Sequence, residues 1–281
     1  MGIARGTYRL LLKESKRKKF SGSILQLGKQ DIFLSSNDIY KYAKKENTHL
    51  DSANISNKKE INDIEFFKLL GFDQVHSIDY SDYEKADIIW DMNLPIPKEY
   101  HQKYDYIFDG GTSEHIFNFP SVLENICLML KPGGSVIHLS PSHNHVDHGF
   151  YMFSPTVFMD FYRENDFKVK TPYIFEYSFS NPKKLWNVYE YESGSLQSLS
   201  FGGFGKQLLG IFFVAQKNMH FESIRIPQQF YYQNTWNKKE QRHLSFKQRI
   251  ARYMPEGLKK KLKRILPNFL FQKKPKKIMK V

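Results

Sequence analysis

Apolar residues along this chain recur in short blocks that alternate in kind. Ile24-Leu25-Gln26-Leu27-Gly28 is an apolar run stopped by glycine and reads as a buried strand. Residues 35–63 are polar and rich in Asn, Ser and Lys, which predicts a weak helix and loop. Residues 64–72 carry the spacing of an amphipathic helix capped by Gly71. Further strands are predicted at 75–79, 86–91, 104–109 and 135–140, and helices at 120–130 and 155–165. Between the 120–130 helix and the next strand, Lys131-Pro132-Gly133-Gly134 reads as a turn. Two later apolar runs, 173–178 and 210–217, suit an antiparallel pair at a sheet edge. Strands alternating with helices predict an α/β fold: a mostly parallel sheet with an antiparallel edge and helices on both faces.

Ligands of such sheets bind outside the carboxyl ends of the strands. Those ends are Gly28, Asp79, Asp91, Asp109-Gly110-Gly111 and Ser140-Pro141. Three of them end in Asp, whose carboxylate accepts hydrogen bonds from ribose hydroxyls or an adenine amino group. The plainer role for an Asp at such a place is a turn or a helix cap.

The stretch YDYIFDGGTSEHIFNFPSVLENICLMLKPGGSVIHLSP, residues 104–141, resembles the class I, Rossmann-like family of S-adenosylmethionine-dependent methyltransferases. Asp105, Asp109, Glu114, His115 and Leu130 to Gly134 carry the likeness, which extends over about residues 20–217. The resemblance implies S-adenosylmethionine as cofactor. It places Asp79 at the ribose and Asp91-Met92 at the adenine, with Gly28, Asp109, Gly110 and Gly111 completing the site. The family's acidic, glycine-rich first loop is reduced here to Gly28. Gln26 replaces the acid, and Gln30 and Ile32 replace later glycines. Either the cofactor sits differently, or Lys29 and Gln30 contact it directly, or the site is degenerate and the chain is a non-catalytic scaffold.

Transfer to a hydroxyl needs a base. His115 follows the fourth strand, and His143, His145 and His148 follow the fifth; His148 and His115 are the expected bases. His143, His145, Asp147 and His148 are an alternative metal set, though no metal-ligand spacing supports it, and none is expected. The fourth strand ends in Asp-Gly-Gly rather than Asn-Pro-Pro-aromatic, which disfavours base amino groups of nucleic acids as acceptors. A small-molecule or saccharide acceptor is expected, with Tyr151, Phe153, Tyr162, Trp186, Phe201 and Phe204 as candidate pocket or core aromatics.

Charge divides the 281 residues further. The formal net charge is +13, yet residues 5–19 hold +6 and residues 238–281 hold +14, leaving the body at −7. This suggests a basic segment at 1–20, a domain at 21–218 and a basic tail at 219–281. The tail interleaves lysines with Leu, Ile and Phe, a pattern for an anionic membrane surface more than for nucleic acid. One cysteine, Cys127, and no apolar leader fit a cytoplasmic setting, peripheral at a membrane.

Overall fold

The computed structural model describes residues 2–48, 50, 60–181, 184–196, 199, 202–237 and 277–281. The basic stretch 238–276, which carries most of the proposed membrane-binding tail, and Phe201 lie outside the described residues.

Nine strands form one sheet: β1 (Ser23–Leu27), β2 (Gln74–Asp79), β3 (Ile88–Ile89), β4 (Tyr104–Asp109), β5 (Leu130–Pro141), β6 (Lys168–Tyr177), β7 (Asn187–Glu190), β8 (Leu208–Gln216) and β9 (Lys277–Lys280). Their order is β3-β2-β1-β4-β5-β8-β6-β7-β9. The first five run parallel, and the remaining neighbours pair antiparallel. The α/β expectation therefore holds, with an antiparallel part that reaches four strands. Lys131 to Gly134, expected as a turn, lie within the long β5, where Gly133 takes φ +76°.

Among the described residues six α-helices accompany the sheet: α1 (Arg5–Arg17), α2 (Ser36–Lys45), α3 (Asp63–Leu69), α4 (Phe119–Met129), α5 (Pro155–Glu164) and α6 (Phe230–Asn237). Helices α1 to α3 cover one face, where Tyr8, Leu11, Phe66 and Phe67 pack against Tyr106, Phe108 and Phe212. Helices α4 and α5 cover the other, where Ile126, Phe158 and Tyr162 pack against Ile107, Val136 and Phe213. Strands buried on both faces read as unbroken apolar runs, which is why the central strands were visible in the sequence. Helix starts follow local chemistry: Asn62 and Glu65 form a reciprocal capping box on α3, and Ser154 caps α5 ahead of Pro155.

The basic N-terminal segment is a working part of this core. Tyr8 and Leu12 are wholly buried, and Arg9 forms a buried ion pair with Glu46. Gly6 lies against the Trp186 ring, so close that a Cβ there would meet it at 2.2 Å. The last residues also join the sheet. Strand β9 pairs with β7, and Val281 exchanges backbone hydrogen bonds with Trp186 at 2.6 and 3.0 Å. Among the described residues no helix is long and apolar enough to cross a membrane.

Candidate active site

Strand order reverses between β1 and β4, whose neighbours lead outward in opposite directions, so the crevice above their carboxyl ends is the expected ligand site. Gly28 ends β1 at φ +66°, a left-handed conformation suited to glycine. A Cβ on Gly28 would fall 2.7 Å from Thr112 Oγ1 and 3.7 Å from Asp79 Oδ2. The ends of β1, β2 and β4 thus meet around Gly28. Thr112 Oγ1 donates to the Leu27 carbonyl at 2.5 Å and fixes the loop after β4 to β1.

The strand-end acids have separate fates. Asp79 is half-buried; its Oδ1 accepts from Ser81 N at 3.3 Å, and its Oδ2 is the oxygen toward Gly28. Asp91 lies two residues past the short β3, and its Oδ1 accepts from Asn93 N and Nδ2 at 2.9 and 2.7 Å, so it organises the turn there. The Met92 side chain packs in the core beside Asn125 rather than standing at the crevice.

Asp109 corrects the expectation placed on it. Its side chain is wholly buried and its oxygens are occupied. Oδ1 accepts from Thr112 N and Ser113 N, both at 3.2 Å, while Oδ2 accepts from Ser113 Oγ and His138 Nδ1, both at 2.7 Å. A carboxylate offers about four acceptor sites, so none remains for a ligand. Burial would push this carboxyl up, but the hydrogen bonds from His138 and Ser113 outweigh it and hold it below the usual range. On the far side, His138 Nε2 lies 2.7 Å from Tyr162 Oη. Tyr162 is held well above its ordinary pKa by burial, so it is the donor to His138.

Gln30 and Gln26 explain the altered first loop. Gln26 is buried and donates to Asp63 Oδ2 at 2.8 Å, tying β1 to the start of α3. Gln30 is also buried; Nε2 donates to the Gly28 carbonyl at 3.3 Å, and a Cβ on Gly110 would fall 2.3 Å from Oε1. Its side chain lies between Gly28 and Gly110. Gly111, at φ +92°, then turns the chain into Thr112 and a short 3-10 turn, Ser113–His115.

That turn carries a group the sequence reading did not assign to the site. Glu114 is wholly buried, and neither carboxylate oxygen has a hydrogen-bond partner among the described residues. Burial, and after it the charge of Asp109, pushes its carboxyl up to about 8. His148 Nε2 stands 3.7 Å from Glu114 Oε1, and the His115 and His148 rings are 5.1 Å apart. Burial and then His148 lower the pKa of His115. The two expected bases are therefore neighbours, with an unpartnered acid beneath them. His145 points elsewhere, its Nε2 2.5 Å from Tyr177 Oη. His143 Nε2 lies 3.3 Å from the Gly205 carbonyl.

A separate cavity of about 470 Å³ opens beside α5 and is lined by Phe153, Asp160, Tyr191, Phe204, Tyr231 and Tyr232, among others. Its wall includes His143 and Met152. Met152 Sδ accepts from His145 N at 3.2 Å, so cavity and histidine cluster share the segment 142–152. Of the aromatics expected here, Phe153 and Phe204 line the cavity. Tyr162 is in the core, Trp186 stacks on Phe175 at 4.3 Å, and Tyr151 Oη donates to the Phe117 carbonyl.

No protein-family model matches the chain, and no curated protein matches it. Solved structures do. A Bacillus halodurans C-125 protein provisionally assigned as a methyltransferase is 11% identical, at a TM-score of 0.43, over 75% of this chain and 98% of its own. The Haemonchus contortus phosphoethanolamine N-methyltransferase 2, in complex with phosphomonomethylethanolamine and S-adenosylhomocysteine, is 13% identical at 0.40, over 75% of this chain and 53% of its own. A Burkholderia thailandensis 1,6-didemethyltoxoflavin-N1-methyltransferase is 10% identical at 0.39, over 76% and 78%. Likeness at this level says nothing of what this chain binds.

Proposed function

We propose that this chain transfers a methyl group from S-adenosylmethionine to a hydroxyl of a small molecule, with saccharides as the favoured class. The observation that carries the reading is the meeting of strand ends at the β1–β4 switch point. Glycine 28 and the Asp79 carboxylate face each other there, and the loop that closes it, 110–115, also delivers Glu114 and His115.

The residues fit the cofactor at one end and crowd it at the other. Asp79 Oδ2, on the side toward Gly28, would accept from a ribose, and Asp91 would stand at the adenine end; the space beside Gly28 and Gly110 is taken up by Thr112 and Gln30. Gln30 lies where the amino-acid end would run, so its amide either moves or contacts that end. When bound, S-adenosylmethionine supplies an electrophilic methyl group on sulfonium. The chain's own task is to orient the acceptor hydroxyl and remove its proton. Glu114, His115 and His148 are the groups beside the crevice suited to that task, and Asp109, saturated, holds their loop in place.

The cavity beside α5 has the size of a small-molecule site. Tyr191, Tyr231 and Tyr232 offer faces for a sugar ring. Asp160 Oδ1 has no partner among the described residues and would accept from an acceptor hydroxyl. The +14 of residues 238–281 supports a position at an anionic membrane surface. Because β9 is part of the sheet, sedimentation with anionic vesicles is best done on a chain whose lysines are neutralised only within 238–276.

Calorimetric titration with S-adenosylmethionine tests the central reading. Saturable binding that weakens in Asp79→Ala supports it. Absence of binding to the folded parent would leave a scaffold, the reading that the buried Gln30 side chain favours.

A further inference from the structure

We infer that Glu114, His115 and His148 form a site for one divalent transition-metal cation. The inference rests on the proposed reading only for the cation's role, which is to hold the acceptor oxygen; the site itself stands on its own geometry.

One donor atom from each of the three residues lies within 4.8 Å of the other two. Donors bound to a common ion at about 2.0–2.2 Å are roughly 3–4 Å apart, so modest rotation of two exposed imidazoles closes the set. The acid cannot move away. Its backbone carbonyl accepts from Tyr151 N at 3.2 Å, and His115 N donates to the Thr112 carbonyl at 3.0 Å. Its carboxylate is wholly buried with both oxygens unpartnered among the described residues, a costly arrangement unless a cation or donor completes it.

The sequence is also arranged to bring His148 to this place. A Cβ on Gly149 would meet the Glu114 carbonyl at 2.8 Å and His115 Nδ1 at 3.1 Å. Only a glycine lets the chain after His148 pass so near the Glu114-His115 turn. His143, His145 and Asp147, the other candidates after the fifth strand, do not join the cluster; His143 and His145 face the Gly205 carbonyl and Tyr177 instead.

Two imidazoles and one carboxylate suit zinc, cobalt, manganese or iron better than calcium or magnesium. Three protein donors leave positions open, the pattern of a site that also takes a substrate oxygen rather than a closed structural site. A cation there lowers the pKa of a coordinated hydroxyl. The histidines then act as ligands, and the hydroxyl proton leaves to solvent.

The test is titration of the untagged, metal-stripped full chain with Co²⁺, followed by visible absorption and by bound metal per chain, with Zn²⁺ as competitor. One Co²⁺ per chain, displaced by Zn²⁺, is expected. Affinity should fall at least about tenfold in Glu114→Gln, His115→Ala and His148→Ala and stay at the parent's value in His143→Ala. No stoichiometric binding, or equal binding in the cluster variants, overturns the site. Should Glu114→Gln fail to fold, the two exposed histidines carry the test. Calorimetry with S-adenosylmethionine is read separately. Cofactor binding without cobalt binding removes this site alone, and cobalt binding without cofactor binding removes the methyl-transfer reading alone.

Discussion

Two carboxylates five residues apart, Asp109 and Glu114, are both wholly buried and both stand beside histidines, yet they have opposite surroundings. Asp109 is met by four hydrogen bonds and keeps its charge; Glu114 is met by none among the described residues and has its pKa raised to about 8. A saturated buried acid is an architectural element, since every acceptor site is already occupied by the loop it shapes. An unsaturated one in the same loop has no such architectural duty among the described residues. Burial alone does not separate the two; the count of donors does.

The sharpest way to break that comparison is to remove each acid in turn. Asp109→Ala strands His138 and the Ser113 donors and should cost about 3–5 kcal/mol of stability in urea unfolding. Glu114→Gln loses no hydrogen bond among the described residues and removes an acid whose pKa burial raises to about 8, so at neutral pH it should keep or raise the midpoint. Equal losses would mean that Glu114 is structural too. pH gives a second view of the same acid. The Asp109 pKa is lowered in the folded state, so its contribution is present above the unfolded value of about 4 and is lost as pH falls through the acid range. The parent's melting temperature should therefore drop more steeply below about pH 4 than that of Asp109→Asn.

Function should respond the other way. His148→Ala, at an exposed side chain, should lower turnover by roughly 10²–10⁴-fold once an acceptor is found, while stability shifts by no more than about 0.5 kcal/mol. A stability loss with turnover intact would reverse the assignment. Asp79→Ala should weaken S-adenosylmethionine binding by about 1–3 kcal/mol in calorimetry; unchanged affinity in a folded variant would remove Asp79 from the site. The smallest effect is expected from Gln30→Gly, which empties the space beside Gly110. A few-fold gain in affinity identifies Gln30 as an obstruction, and a loss identifies it as a contact.

The sheet's parallel half was legible because its strands are buried on both sides and written as apolar runs, as in Tyr104–Asp109. Helix α1 was hidden by charge: Arg5, Arg9, Lys13, Lys16 and Arg17 read as a basic segment, while Tyr8, Leu11 and Leu12 between them face the core. Strands β7 and β9 have four residues each and too short a pattern to register, and β9 is framed by lysines. At the site, the meeting of Gly28 and Asp79 was legible because strand ends are predictable places. Asp109 was misassigned because sequence shows a carboxylate but not its donors. Glu114 was quoted for its motif and passed over as a site residue, since nothing in a Glu-His pair announces that the acid will be buried without a partner. Thr112 carried no signal at all; its hydroxyl matters only because β1 ends beside it.

Strand β9 makes the chain a ligand for itself. It docks on the β7 edge as a peptide would in strand addition, but it is covalently joined to the rest of the sheet, so its local concentration does not depend on supply. A free peptide of the same sequence would have to exceed that local concentration to displace it. Displacement would first release Trp186, whose backbone holds Val281 and whose ring covers Gly6 of α1. An event at the sheet's last strand thus reports directly to the chain's first helix.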